Sequence, residues 1–104
     1  MTKKLPKLVI KKQGKIKNID GKIEKFKIVN SVDMPQKGYP EKRFILQELL
    51  FETGKKRIRI GYYIIGKKPK MKGKWVWGQS CPMFPEQDIK KLLEKAKSKG
   101  IINY

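Results

Sequence analysis

The sequence predicts an α+β fold: a twisted antiparallel β-sheet with one C-terminal helix packed on a face, extended by an N-terminal basic β-hairpin. Three observations carry that prediction. β-Branched residues alternate with polar ones from residue 8 to residue 30 around an Asp20-Gly21 pair, RIRIGYYII (57–65) alternates in the same way, and FPEQDIKKLLEKAKSKG (84–100) has an apolar stripe at helical spacing. With 104 residues there is room for one domain and a modest core. Its parts are a hairpin extension over 1–30, a loop over 31–43 and a sheet-plus-helix body over 44–104.

Taken in chain order, the first hairpin has strands near 8–19 and 22–30, because Asp-Gly between two β-branched runs supplies the residues a tight hairpin turn needs. NSVDMPQKGYPE follows, with Pro35, Gly38 and Pro40 among polar residues, and predicts the loop. FILQELLF (44–51) suits a strand by length and by the Thr53-Gly54 turn behind it, although Leu, Gln and Glu are also good helix formers. Along 57–65 the even positions, Ile58, Ile60, Tyr62 and Ile64, form a core face. The odd positions, Arg57, Arg59, Gly61, Tyr63 and Ile65, form a basic and aromatic face. KKPKMKGK (67–74) is a loop broken by Pro69 and Gly73, and WVWGQSC is a further strand.

The helix has Pro85 in its first turn, Glu86 and Asp88 at the positive end of its dipole, and lysines at the negative end. Gly100 offers a left-handed cap, and Ile89, Leu92, Leu93 and Ala96 form the apolar stripe. Beyond it, Ile101 and Ile102 add apolar surface that a small sheet does not obviously cover, which predicts a homodimer.

Charge narrows the function. There are 27 Lys plus Arg against 9 Asp plus Glu, a formal charge of +18. Heat-adapted proteins enrich lysine, but they raise glutamate in parallel, and acidic residues are scarce here. A polyanion that releases counterions on binding offsets such self-repulsion, so nucleic acid is the expected partner. Residues 55–85 carry nine basic groups and no carboxylate.

Several chemistries are disfavoured. No apolar run is long enough to span a bilayer and no secretory leader opens the chain, so a cytoplasmic location, with nucleoid association as its variant, and no membrane partner are expected. With one cysteine and no histidine the sequence offers neither a disulfide nor a zinc set. Cys81, just before Pro82, is expected to be a buried structural residue. GYYIIGKK (61–68) has the spacing of a phosphate-binding loop, but Tyr62, Tyr63, Ile64 and Ile65 are strand formers, Lys68 stands where a hydroxyl belongs, and Pro69 follows. A metal-dependent nuclease needs converging carboxylates, and only Glu41, Glu48 and Glu52 are open to that role. No cofactor and no catalysis are expected.

Binding is the expected function: single-stranded nucleic acid, DNA ahead of RNA, with little sequence preference. Phosphate contacts are assigned to Lys55, Lys56, Arg57 and Arg59, and to Lys67, Lys68, Lys70, Lys72 and Lys74 of the loop. Base stacking is assigned to Tyr63 and, if they are not packed in the core, to Trp75 and Trp77. A duplex-DNA or chromatin protein and a small nuclease are the alternatives.

FETGKK, IRIGYYI, KPKMKGK, a short strand and PEQDIKKLLEKA, all within residues 44–97, together resemble the positive cofactor four family of single-stranded-DNA-binding transcription coactivators. The resemblance implies a curved four-stranded sheet followed by one helix, dimerisation through the helices, and basic channels for single strands. By position it implies nucleic-acid contacts for Phe51, Lys55, Lys56, Lys72 and Lys74. Where the family tends to place an aromatic at the end of its second strand here, this chain has Ile64, with Tyr63 just before it.

Overall fold

The computed structural model describes residues 5–78 and 81–103. Five strands form one antiparallel sheet in sequential order, and a helix follows: β1 (Gln13–Lys17), β2 (Ile23–Gln36), β3 (Tyr39–Phe51), β4 (Lys56–Ile65), β5 (Trp75–Trp77) and α1 (Glu86–Ser98). The sheet curls into a half-barrel, as sheets with right-handed twist and bulges do. The α+β architecture with a single C-terminal helix is therefore as predicted. No helix among the described residues is long and apolar enough to cross a membrane.

The clearest correction concerns the loop over 31–43. β2 runs on to Gln36, a two-residue turn at Lys37 and Gly38 reverses the chain, and β3 begins at Tyr39. Gly38 has φ of +79°, a conformation that glycine adopts without penalty. Pro35 is tolerated because this part of β2 is a free edge. The carbonyls of Ser31 and Asp33 on that edge accept hydrogen bonds from Lys99 Nζ and Lys95 Nζ, at 2.8 and 3.0 Å. Pro35 lies two residues beyond Asp33, so the donor it lacks would also have faced outward. Helix lysines and a proline thus protect an exposed edge.

A β-bulge at Val29 governs the core. The register shifts between Ile28 and Asn30, so the apolar residues of β2 change face there. Before the bulge, Phe26 and Ile28 join Leu49 and Phe51 in a small cluster on the face away from the helix. After it, Val32 and Met34 join Phe44, Leu46, Leu92 and Ala96 beneath the helix. β3, the central strand, is consequently buried on both faces from Phe44 to Leu49. That explains why FILQELLF reads as a continuous apolar run with no clear period.

α1 packs on β2 and β3. It ends in a Schellman motif, with Gly100 N donating to Lys97 O and Ile101 N to Ala96 O, and Gly100 has φ of +79°. The turn folds Ile101 into the helix-side core, and Ile102 packs against the same cluster. The apolar surface that predicted a homodimer is therefore used within the chain. At the other end of the helix, Asp88 is buried rather than merely facing the dipole, and its Oδ2 accepts the Lys37 N–H at 3.0 Å. This bond ties the helix to the β2–β3 turn. Asp88→Ala should lower stability by about 1–3 kcal/mol in chemical denaturation, by leaving that N–H unsatisfied, whereas Asp88→Asn keeps an acceptor oxygen and should cost less.

Three smaller expectations also change. Residues 8–12 are not strand; β1 starts at Gln13. The last strand covers only Trp75–Trp77, while the expected continuation through Gln79 and Ser80 lies outside the described residues. Cys81 is exposed, not buried. In that connection Phe84 does the packing, stacked on Phe44 at 3.9 Å between ring centroids.

Candidate nucleic-acid interface

Strand parity divides the expected contact residues. β4 is regular along its pairing with β3, so Arg57, Arg59, Gly61 and Tyr63 share the face opposite the helix with their partners Leu49, Gln47, Ile45 and Arg43. Tyr63 pairs with Trp77 and Ile65 with Trp75, which puts both tryptophans on that face. The odd-numbered basic and aromatic face expected of residues 57–65 is present. Lys56 has the other parity and lies 3.6 Å from Glu48, so it does not join the group.

The tryptophans are half-buried and already engaged. Trp77 meets Tyr63 edge to face at 5.1 Å, and the Arg59 guanidinium lies 4.7 Å from its ring centroid. A Cβ at residue 61 would collide with the Trp77 ring, so the role of Gly61 is close approach, with no bulge in β4. Trp75 Nε1 donates to Pro6 O at 2.7 Å. The chain then runs from this point on β5 to β2, where Ile28 N donates to Lys12 O. Residues 6–12 therefore cross the face opposite the helix, and Ile45 and Gln47 on that face are fully buried.

Arg59 is the most firmly held cation. Its Nε and Nη2 both donate to Gln47 Oε1, at 2.9 and 2.6 Å, and its guanidinium lies near the Phe26 ring as well as that of Trp77. Burial lowers its pKa from the usual value, an effect the nearby Tyr63 opposes, while burial raises the Tyr63 phenol. An arginine starts so high that it stays charged at neutral pH. Gln47 Nε2 is buried with no partner among the described residues.

Towards the β3–β4 turn the same face opens into a cleft of about 390 Å³. Leu49, Phe51 and Ile16 supply its apolar lining, and Lys55, Arg57 and Arg59 its cationic side. Asn18, Glu24 and Thr53 complete it. The turn that brings Lys55 here is closed by Phe51 N donating to Lys55 O and Gly54 N to Phe51 O, both at 2.9 Å. Four of the expected residues, Phe51, Lys55, Arg57 and Arg59, are thus assembled. Phe51 is 8% exposed, so it serves as floor more than as a free stacking plane.

The loop lysines form a separate group. Lys67, Lys68, Lys70, Lys72 and Lys74 are all exposed on the β4–β5 connection, which Gly66 closes by donating to Lys74 O and accepting from Gly73 N. They lie at the opposite end of the ten-residue β4 from Lys55, about 30 Å away for an extended strand. Sequence reasoning missed Ile16, Asn18, Glu24, Leu49 and Thr53, because curling of the sheet, which no local pattern records, brings the β1–β2 hairpin over the cleft.

The outer face of that hairpin is also basic. Lys15 and Lys25 are direct cross-strand partners, and Lys15, Lys25 and Lys27 line a cleft of about 830 Å³ with Glu52 and the exposed Leu50. Directly opposed like charges destabilise a strand pair unless an anion lies between them.

Among the described residues no group of three acidic or cysteine side chains could hold a metal. Glu48 is buried beside Lys56, while Glu52 lines the outer cleft. Comparison with family models, with curated proteins and with solved structures finds no match for this chain.

Proposed function

We propose that this chain is a non-catalytic protein that binds single-stranded nucleic acid, DNA ahead of RNA, largely without regard to sequence. The observation that carries the reading is the cleft in which Lys55, Arg57 and Arg59 border an apolar floor of Leu49, Phe51 and Ile16. Cations beside an apolar surface suit a strand whose phosphates and unpaired bases need different environments. The loop lysines, at the far end of β4 and beyond the crossing segment 6–12, are a second basic surface for the same backbone. Basic surfaces for a single strand are what the resemblance over residues 44–97 implies.

Salt dependence tests the reading. If about six phosphates are held, affinity for labelled oligothymidine should fall roughly 300-fold between about 50 and 200 mM salt. An affinity indifferent to salt would overturn it. A second reading, duplex binding, is favoured by the opposed lysines on the outer face of the hairpin. Competition between single-stranded and duplex oligonucleotides of equal length separates the two.

A further inference from the structure

The cleft contains one group that a phosphate-binding surface does not need. Glu24 is half-buried, lines the cleft that Lys55, Arg57 and Arg59 border, and forms no ion pair or hydrogen bond among the described residues. It stands directly across from Ile16 on the hairpin, and Asn18, whose side chain is also without a hydrogen bond, lines the same cleft. A carboxylate here weakens attraction for a polyanion, so it has to act on something other than phosphate. What it can take is donated hydrogen bonds, because an ionised carboxylate only accepts.

Resting on the nucleic-acid reading, we propose that this cleft seats a single unpaired nucleotide and that Glu24 makes it selective for guanine. The volume, about 390 Å³, is at the small end of ligand pockets, which commonly run from about 300 to 1,000 Å³. The apolar floor takes the base plane, and the cations take the flanking phosphates. Guanine offers N1–H and the N2 amino group side by side, matching the two oxygens of one carboxylate, and its O6 can accept from the Asn18 amide. Adenine and cytosine pair a single amino group with a ring acceptor that faces the carboxylate unfavourably. Thymine and uracil offer one N–H between two carbonyl oxygens, the poorest fit. The device confers preference at one position of a strand that is otherwise held by its backbone.

The test compares a labelled thymidine dodecamer with the same oligomer carrying one central guanine. Wild type should bind the guanine-containing strand on the order of tenfold more tightly, the usual size of a bidentate base contact. In Glu24→Gln that preference should fall below about twofold, while affinity for the all-thymine strand holds or rises, because a negative charge has gone. Asn18→Ala, a separate change in the cleft, should reduce the preference by a smaller factor. Equal affinities in wild type with binding intact, or a guanine preference that survives Glu24→Gln, would overturn the inference and leave the general reading standing. Failure of both oligomers to bind would overturn both.

Discussion

Phe44→Ala should lower stability by about 3–5 kcal/mol, the usual cost of emptying a buried aromatic site. Phe44 is fully buried at the centre of β3, stacked on Phe84 and packed in the cluster with Leu92 and Ala96. It joins three parts of the molecule, namely the sheet, the helix and the connection that leads from β5 into the helix. In a domain of this size each kcal/mol moves the midpoint by roughly 4 °C or more, so Tm should drop by about 12 °C at least. Phe44→Leu, which keeps most of the volume, should cost far less. A fall in Tm of under about 5 °C for the alanine variant would show that the helix is not seated as described.

Replacing Lys55, Arg57 and Arg59 together with glutamine should reduce affinity for single strands on the order of 100-fold near physiological salt. It should also flatten the logarithmic salt dependence by about 2, since each lost contact on a single strand removes about 0.7. Lys56→Gln is the decisive comparison, because Lys56 adjoins both Lys55 and Arg57 in sequence yet lies on the helix face beside Glu48. Its removal should change affinity little. Arg59 also holds Gln47, so the Lys55→Gln/Arg57→Gln double variant provides a version that leaves those hydrogen bonds in place. Equal losses from Lys56→Gln and from the double variant would mean that charge alone, and not the face it occupies, governs binding.

Which residues of β4 share a face was legible in the sequence, because that depends only on the two-residue period of a strand, although the even face expected to be core leaves Ile58 and Ile64 exposed. The same holds for α1, whose stripe, acidic first turn and glycine cap are all local features. The reading failed where local signals were outweighed by partners distant in sequence. Pro35, Gly38 and Pro40 look like loop punctuation, yet the long β2–β3 pairing carries the strands almost to the turn and leaves Pro35 on a free edge. Cys81 was read from the general burial habit of cysteine, but Phe84 occupies the nearby core. Residues 8–12 have the composition of a strand, but they cross the sheet instead of extending it.

By itself, then, the sequence determined the class of fold, the helix and its ends, the alternation of β4 and the concentration of positive charge, all properties of neighbours along the chain. The tertiary structure alone decided which charges act together. It set Lys56 apart from Lys55 and Arg57, divided the loop lysines from the cleft by the length of a strand, and engaged Trp75 and Trp77 in contacts with Pro6 and Arg59. It also brought Asn18 and Glu24 across to the cleft of β3 and β4. The physical reason is curvature. A bulge at Val29 and the twist of five strands fold the sheet on itself, so that residues more than thirty positions apart line one cleft, and no local periodicity encodes that closure.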